Sequence, residues 1–315
     1  MIKQQGSNRV YTRETTPEGQ SVIRVEGTNR DENRAFIYMS RHFAELGLPV
    51  PQVLWVSEDE MSYTQEDLGD TLLFEAIRHG RETGCFLPKE RALLERTLRA
   101  LAHIQVTGAQ GFDWSVCFPV PAMDERAIRW DLNYFKYCFL KGTQIEFSEP
   151  LLEDDFDRLT ATILAQPADT FLYRDCQSRN VMLRDGQPWF IDFQGGRRGP
   201  TQYDVASFLW QAKANIPAAL RKELIEAYLD ELEQIKRQNS ETLDSAEWLS
   251  ALPHFVLLRT LQVLGAYGYR GYFERKPHFL ESIPMALKNL RNVITELKDD
   301  YPHIYAISND LLLLL

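Results

Sequence analysis

The stretch between residues 173 and 193 constrains the fold of this 315-residue chain more than any other. Two apolar runs, Val181–Leu183 and Trp189–Phe193, flank a short polar segment that contains the dipeptide Asp-Gly. Because glycine tolerates the positive φ that a tight turn requires, this pattern predicts a β-hairpin. The residues at the outer ends of the two strands are then expected to lie close together.

Two oxygen-bearing side chains stand at those outer ends. Asn180 precedes the first strand and Asp192 ends the second, and amide and carboxylate oxygens are ligands that Mg²⁺ accepts beside waters and substrate phosphates. Asp175 lies five residues before Asn180, where a carboxylate can take a proton from an incoming hydroxyl. Arg179 is expected to neutralise charge on a transferred group. We therefore predict Asp175 and Arg179 as catalytic residues and Asn180 and Asp192 as metal ligands.

Each of these features also has an ordinary structural explanation. The spacing Asp-x₄-Asn is common by chance, and an Asp at the end of an apolar strand is often a turn residue. Their combination around an Asp-Gly hairpin is more specific, because it follows the kinase order of H-R-D-x-x-x-x-N and then the metal-binding Asp of D-F-G. The sequence therefore favours phosphoryl transfer.

The composition of the chain indicates which binding partners and which cellular compartment are expected. A formal net charge of −10 provides no general attraction for nucleic acid or an anionic membrane, so neither is an expected partner. The four cysteines have no C-x-x-C spacing, which argues against a zinc or redox motif. Met1–Arg9 lacks the apolar core of a signal peptide, and no run approaches 18 apolar residues. We therefore predict a cytoplasmic protein.

The chain changes character near residues 66–70. Before this point, one helical pattern lies between two pairs of strand patterns: Arg9–Glu14, Ser21–Val25, Asn29–Leu46, Val53–Val56 and Met61–Gln65. After it, most apolar spacings are helical. The predicted fold class is α+β, with a small sheet-rich lobe at residues 1–66 and a larger helical lobe at residues 67–315. The closing run Leu311–Leu315 either docks on the body or leads towards a further domain or partner.

Three motifs carry a resemblance to a known family. The three segments resemble, in this order, D-[FY]-x-x-R-N, D-F-Q and S-x-R-x-Y-x-R: Asp175-Cys-Gln-Ser-Arg-Asn180, Asp192-Phe-Gln-Gly and Ser7-Asn-Arg-Val-Tyr-Thr-Arg13. The chain resembles the aminoglycoside phosphotransferase–choline kinase superfamily, and within it the bacterial anomeric kinases of N-acetylmuramate and N-acetylglucosamine. The resemblance implies a two-lobed protein-kinase-like fold, ATP and Mg²⁺ as cofactors, and an anomeric hydroxyl as acceptor.

The resemblance also implies where the nucleotide binds. The small-lobe strand that carries a lysine in the family has Arg24 instead, with Arg9 or Arg13 as the alternative phosphate ligand. Glu32 is expected to be the carboxylate partner on the small-lobe helix. Gly6 falls in the loop over the phosphates.

Other family positions fall outside the phosphate-binding strands. Gln65 and Asp67 fall in the hinge that presents backbone groups to adenine. Tyr173 stands where the family often has His and supports the shape of the loop. Asp204 is expected to be a helix N-cap that also braces the catalytic loop.

The acceptor side is implied by the resemblance in the same way. Asp131 and Asn133 lie in the insertion region that lines acceptor pockets in relatives, where polar side chains bond hydroxyls and aromatic rings stack on sugar faces. The aromatic residues that follow Asn133 are explained equally well as part of the core. Arg259, Gln262 and Arg270 lie on or after a late helix, and one of them is expected to meet a carboxylate or a hydroxyl.

Three other functions stay open at this point. A kinase for an aminoalcohol or an aminoglycoside fits the acidic charge. A non-catalytic nucleotide-binding regulatory module is favoured by Arg24 in place of lysine, but it has no need of Asp175. A protein kinase is disfavoured, since the short segment from Asp192 to Tyr203 contains no A-P-E-like motif.

Overall fold

The computed structural model describes residues 9–313. The chain divides into two compact units, the first formed by Met1–Ala122, Thr170–Arg198 and Lys222–Thr242, the second by Met123–Asp169, Gly199–Arg221 and Leu243–Leu315. The predicted lobe boundary near residues 66–70 lies inside the first unit, so the division into residues 1–66 and 67–315 stays a prediction.

The described strands are short. They are β1 (Val10–Thr15), β2 (Ser21–Glu26), β3 (Val53–Val56), β4 (Ser62–Glu66), β5 (Thr170–Leu172), β6 (Val181–Arg184), β7 (Gln187–Phe190) and β8 (Arg197–Gly199). The first four form one antiparallel sheet in the order β1-β2-β4-β3, β6 pairs with β7, and β5 pairs with β8. The four strands predicted before residue 66 are therefore confirmed, with ends that differ by one residue.

The α-helices of residues 9–313 make up most of the remaining structure. They are α1 (Arg30–Glu45), α2 (Leu73–Ala76), α3 (Arg78–Thr83), α4 (Pro88–Val106), α5 (Glu125–Cys138), α6 (Glu149–Leu164), α7 (Gln202–Leu209), α8 (Ala218–Gln238), α9 (Ser245–Gly268), α10 (Pro277–Leu280), α11 (Ile283–Glu296) and α12 (Pro302–Leu312). Leu311 is buried within α12. The expectation of a further domain or partner beyond the closing leucine run is not tested.

Strand register divides the four-stranded sheet into two faces. Residues two apart in a strand point to the same side. Two cross-strand rows therefore share one face: Tyr11–Val25–Tyr63 and Arg13–Ile23–Gln65. Arg24 pairs with Thr64 between these rows, so its side chain points to the opposite face.

Helix α1 begins and ends as its sequence predicts. The side chain of Asn29 accepts a hydrogen bond from the backbone N–H of Glu32 at 3.1 Å, which satisfies one of the free donors of the first turn. Gly47 adopts a φ of 70°, a left-handed conformation that glycine reaches without a Cβ clash. The helix is therefore bounded by local chemistry at both ends.

The predicted hairpin is confirmed by β6 and β7. Its two turn residues, Asp185 and Gly186, have φ values of 53° and 70°, and positive φ at both central positions matches the twist of paired strands. Val181 stands opposite Phe190 in the register. The Leu183 N–H donates to the Thr71 carbonyl at 2.8 Å, which ties the hairpin to the segment after β4.

Helix α9 forms the centre of the second unit. Pro253 lies inside the helix, although proline removes an intrahelical hydrogen bond. The apolar spacing of the sequence predicts a helix over Leu252–Tyr269, but the helix begins at Ser245, where Asp244 accepts from the Glu247 N–H at 2.9 Å. Among residues 9–313, Ser245–Phe273 is the segment long and apolar enough to cross a membrane, and 61% of its most apolar window is buried in protein. A buried core helix of a soluble protein has the same properties, so this is weak evidence for a membrane span.

Glycines allow α9 to pack closely on α5. A Cβ atom on Gly268 would lie 2.2 Å from the carbonyl oxygen of Cys138, and one on Gly265 would lie 2.7 Å from the backbone nitrogen of Phe135. Both neighbours are backbone atoms, which cannot swing away as a side chain can. Any side chain at these positions therefore separates the two helices.

We predict that Gly268→Ala destabilises the protein by about 1–3 kcal/mol, the usual cost of overpacking a core. The measurement is thermal and urea unfolding followed by circular dichroism. Gly142→Ala is the matched control, because its nearest contact is a flexible Tyr272 side-chain atom at 3.7 Å. Equal midpoints for the two variants would contradict the close crossing of α5 and α9.

Candidate active site

Hydrogen bonds within the predicted catalytic loop fix its shape. The Nδ2 atom of Asn180 donates to the backbone carbonyl of Asp175 at 2.9 Å. A carbonyl oxygen only accepts, so the nitrogen of the amide must face it and the amide oxygen must face away. The Ile191 N–H donates to the Asn180 carbonyl at 3.0 Å, and the Tyr173 hydroxyl donates to the Ile191 carbonyl. The loop and the end of the hairpin are thereby joined.

Two residues of this segment hold unusual backbone conformations. Arg174 has a φ of 77° and Asp192 a φ of 66°, in the left-handed region that residues with a Cβ seldom occupy. Each such residue costs on the order of 1 kcal/mol or more and persists only where its surroundings enforce it. The backbone thus departs from relaxed geometry just before the predicted base and at a predicted metal ligand.

Aromatic stacking connects Asp192 to the sheet. Phe193, the next residue in the chain, stacks on Phe36 of α1 with ring centroids 4.7 Å apart. Phe36 also stacks on Tyr63 of β4 at 5.1 Å. These buried rings fix the backbone next to Asp192 against both the helix and the sheet.

The environment of Asp192 favours a bound cation. Burial raises the pKa of its carboxyl above the ordinary value, and the negative charge of Asp175 raises it further, whereas a hydrogen bond from Gln194 and the charge of Arg9 lower it. A carboxylate that is partly desolvated beside a second carboxylate gains strongly from a positive ion. The local electrostatics therefore fit the predicted metal-ligand role of Asp192.

A cavity of about 210 Å³ opens between the sheet face and this segment, within the first unit. The sheet, the hairpin and residues 66–70 all contribute to it, and so do Arg179 and Asp192 of the predicted catalytic segment. The lining residues that bear on function are Tyr11, Ile23, Gln65, Met182, Arg179 and Asp192. Arg179 also lies over the ring of Phe74 at 4.1 Å, which fixes its guanidinium beside the cavity.

The structure distinguishes the candidate phosphate-binding arginines. Nη2 of Arg9 lies 3.5 Å from Oε1 of Glu32, and the Arg9 side chain is only 3% exposed. Arg24 instead lies on the opposite sheet face, 3.5 Å from Glu26 and over the ring of Trp55 at 5.8 Å. The predicted partner carboxylate on α1 therefore pairs with Arg9, and the placement of Arg24 argues against its predicted contact with a nucleotide.

Arg13 and Asp67 pair with each other and with neighbouring protein groups rather than being left open for a nucleotide. Nε of Arg13 lies 2.7 Å from the Asp67 carboxylate and Nη2 lies 2.8 Å from Asp70. Ser21 donates to Asp67 at 2.5 Å. Burial alone would raise the pKa of Asp67, but these hydrogen bonds lower it. The Asp67 carboxylate is thus occupied by the protein, so any nucleotide contact at this residue is expected from its backbone.

Two glutamines present buried oxygens at the site. Within the described residues, Oε1 of Gln65 and Oε1 of Gln194 are buried and have no hydrogen-bond partner. Gln65 was predicted as a cofactor-binding residue and lines the cavity. Gln194 was noted in the sequence only as the third residue of the D-F-Q motif and was not predicted as a site residue. The signal that identifies it is a polar side chain where the kinase motif has glycine.

The predicted acceptor residues all lie in the second unit. Asp131 is buried on α5, and Asn133, two residues further along the same helix, is half-buried. Arg259 is buried on α9, where its Nε donates to Ser207 at 3.0 Å and its Nη1 donates to Gln262. Arg259 is therefore already engaged by protein groups, and its substrate role stays a prediction.

The last two predicted residues are Asp204 and Gly6. The N-cap assignment of Asp204 is wrong, because α7 begins at Gln202 with Thr201 as its cap and Asp204 is a fully buried residue of the first turn. Gly6, predicted over the phosphates, lies outside the described residues.

Comparison with curated proteins gives relatives along most of the chain. A protein of Neisseria meningitidis serogroup B named N-acetylmuramate/N-acetylglucosamine kinase is 26% identical over 295 residues, which cover 90% of this chain and 82% of the relative. A protein of the same name from Pseudomonas aeruginosa is 24% identical over 270 residues, which cover 84% and 74%.

A solved structure supports the fold independently. The amicoumacin kinase hAmiN, in complex with AMP-PNP, Ca²⁺ and Ami, aligns with a TM-score of 0.66 over 94% of this chain and 88% of that one, at 14% identity. At this identity the likeness concerns the fold alone.

A family model described as "Phosphotransferase enzyme family" matches residues 2–237, more than half of the chain. The match agrees with the kinase-like order of Asp175, Asn180 and Asp192 around the hairpin, and it is decisive. The chain belongs to the phosphotransferase enzyme family and is an ATP-dependent small-molecule kinase of the protein-kinase-like fold.

Proposed function

We propose that this kinase transfers the γ-phosphoryl group of ATP to the anomeric hydroxyl of an amino sugar of the N-acetylmuramate/N-acetylglucosamine type. The observation that carries the proposal is the catalytic segment, in which the Asn180 amide is tied to the Asp175 carbonyl and Asp192 lines the cavity. The names of the two relatives support the choice of sugar. The loop motif around Asp175 resembles that of anomeric kinases.

The residues present fit a divalent cation held together with a nucleotide. Among residues 9–313, no cluster of three or more His, Cys, Asp or Glu side chains forms a closed metal cage. Asn180 and Asp192 would instead supply two oxygens, which suits Mg²⁺ because it keeps waters and substrate phosphates as its other ligands. When bound, Mg²⁺ would neutralise negative charge on the phosphates.

The nucleotide base is proposed to occupy the cavity beside residues 66–70. Apolar residues such as Ile23 and Met182 line it, and Gln65 presents a buried acceptor oxygen. The exocyclic amine of adenine is a donor that would satisfy this oxygen. Burying an unsatisfied acceptor costs about 1–3 kcal/mol, so this contact favours a base with an amino group.

Arg9 is proposed to anchor the phosphates, held in place by Glu32. The pKa of Asp192 is raised chiefly by burial and also by the charge of Glu32, and it is lowered by the charge of Arg9, so the ion pair acts on the proposed metal site. Protein kinases place a lysine–glutamate pair in this role. Here an arginine from the residue before β1 would replace the lysine of a neighbouring strand.

Asp175 is proposed to act as the general base. Its carboxylate takes the proton of the anomeric hydroxyl as the new O–P bond forms and the bond from the γ-phosphorus to the bridging oxygen of ATP breaks. The products are a sugar 1-phosphate and ADP. An anomeric hydroxyl is more acidic than an ordinary alcohol, so a carboxylate suffices as base. Arg179 at the cavity would stabilise charge on the transferred group.

We predict that Arg9→Ala raises the KM for ATP by about tenfold or more, because it removes the cation proposed to anchor the phosphates and leaves the charge of Glu32 unpaired. Arg24→Ala is the matched control and is expected to change this KM by less than about twofold. Steady-state kinetics on both variants, with thermal unfolding as a folding check, makes the measurement. A larger effect for Arg24 than for Arg9 would contradict the assignment.

The acceptor is tested by incubating the kinase and ATP with N-acetylmuramate, N-acetylglucosamine, choline and an aminoglycoside. We expect ³¹P NMR to show a sugar 1-phosphate with either amino sugar. Asp175→Asn is expected to lower kcat by about 10²-fold or more, the scale of general-base catalysis, while Mg·ATP still binds in calorimetry.

Two results would separate the parts of this proposal. Phosphate on C6 of the sugar, or on choline alone, would refute the anomeric acceptor and leave the kinase assignment intact. Turnover by Asp175→Asn at the wild-type rate would refute Asp175 as the base whatever the acceptor is.

A further inference from the structure

Gln194 stands two residues after Asp192 and contacts it directly. Its Nε2 atom donates to Oδ1 of Asp192 at 3.0 Å. An ionised carboxylate only accepts hydrogen bonds, so the amide nitrogen must be the atom that faces it. The orientation of the whole Gln194 amide, including its oxygen, follows from this single contact.

The other end of the amide lacks a partner in the protein. Within the described residues, Oε1 of Gln194 is buried and accepts no hydrogen bond. Buried polar atoms in native proteins are normally paired, because an unpaired acceptor costs about 1–3 kcal/mol. A donor from outside the protein is therefore expected at this oxygen. The cation proposed at Asp192 would supply such a donor, because the waters bound to a metal ion donate hydrogen bonds.

The contact also gives the two oxygens of the Asp192 carboxylate different partners. Because Gln194 occupies Oδ1, the carboxylate is held in one orientation and Oδ2 keeps its lone pairs for a cation. Groups that orient a metal ligand in this way commonly change metal affinity by about 10- to 100-fold when they are removed. Glycine, which the kinase motif D-F-G has at this position, offers neither side-chain contact.

We propose that Gln194 is a positioning residue of the metal site: its N–H group orients Asp192, and its Oε1 accepts a hydrogen bond from a water bound to the metal. This inference rests on the proposed function, since it requires that a divalent cation binds with the nucleotide. Gln194 thus has a role in metal binding that differs from the roles of the proposed ligands Asn180 and Asp192.

The test measures Mn²⁺ binding to the full chain by electron paramagnetic resonance, with AMP-PNP present in excess. Gln194→Leu and Gln194→Met both remove the donor and the acceptor, and methionine also keeps the length of the glutamine side chain. Both variants are expected to bind Mn²⁺ about tenfold or more weakly, with unchanged affinity for AMP-PNP in the absence of metal. Gln187→Leu, an exposed position on the same hairpin, is the matched control and is expected to bind Mn²⁺ as the wild type does.

Each outcome decides a different point. Wild-type Mn²⁺ affinity in a folded Gln194→Leu or Gln194→Met variant would overturn the role of Gln194 and leave the proposed function standing. If the wild-type protein takes up no Mn²⁺ with AMP-PNP, the metal-dependent function itself is refuted, and this inference with it. Should Gln194→Leu fail to fold, Gln194→Met alone decides.

Discussion

The hydrogen bond from the Asn180 amide to the backbone carbonyl of Asp175 is the constraint on which the rest of the site depends. It closes the loop between the proposed base and a proposed metal ligand, and it dictates which way the amide oxygen points. The backbone of Asn180 in turn pairs with Ile191, the residue before Asp192. One chain of hydrogen bonds therefore positions base, amide and carboxylate relative to each other. Losing any member would leave a buried polar group unpaired, at a cost of about 1–3 kcal/mol.

Helix α1 also supports this chain of contacts, and its Phe36 lines the cavity. Glu32 and Phe36 are four residues apart, so they lie on the same face of the helix. Glu32 pairs with Arg9, whereas Phe36 stacks on Phe193 and fixes the backbone next to Asp192. The position of one helix thus governs both the proposed phosphate anchor and the proposed metal ligand. A shift of α1 would disturb the two together.

Local chemistry explains what the sequence predicted correctly. The Asp-Gly turn specifies the hairpin, and Asn29 and Gly47 bound α1, because each signal acts within a few residues. The sequence left Arg24, Arg9 and Arg13 as alternative phosphate ligands, because the face of a strand residue depends on register with its neighbours. Apolar residues on both sides of Arg24 gave no clear alternation from which the register could be read.

Other features depend on contacts that no local pattern encodes. The close crossing of α5 and α9 at Gly268 joins distant segments, and the start of α9 was obscured by Pro253 inside the helix. The oxygens of Gln65 and Gln194 become informative only when burial and the absence of a partner among the described residues are known. Arg259 was a plausible substrate ligand in sequence, yet Ser207 and Gln262 engage its guanidinium.

The most direct test of this account is a crystal structure of the kinase with AMP-PNP and Mn²⁺, with the metal located by its anomalous scattering. We expect a Mn²⁺ peak bonded to the amide oxygen of Asn180, to an oxygen of Asp192 and to phosphate oxygens of the nucleotide, at distances of about 2.0–2.3 Å. A peak that contacts phosphates but neither of these side chains would contradict the central claim. So would an Asn180 amide whose nitrogen faces the nucleotide.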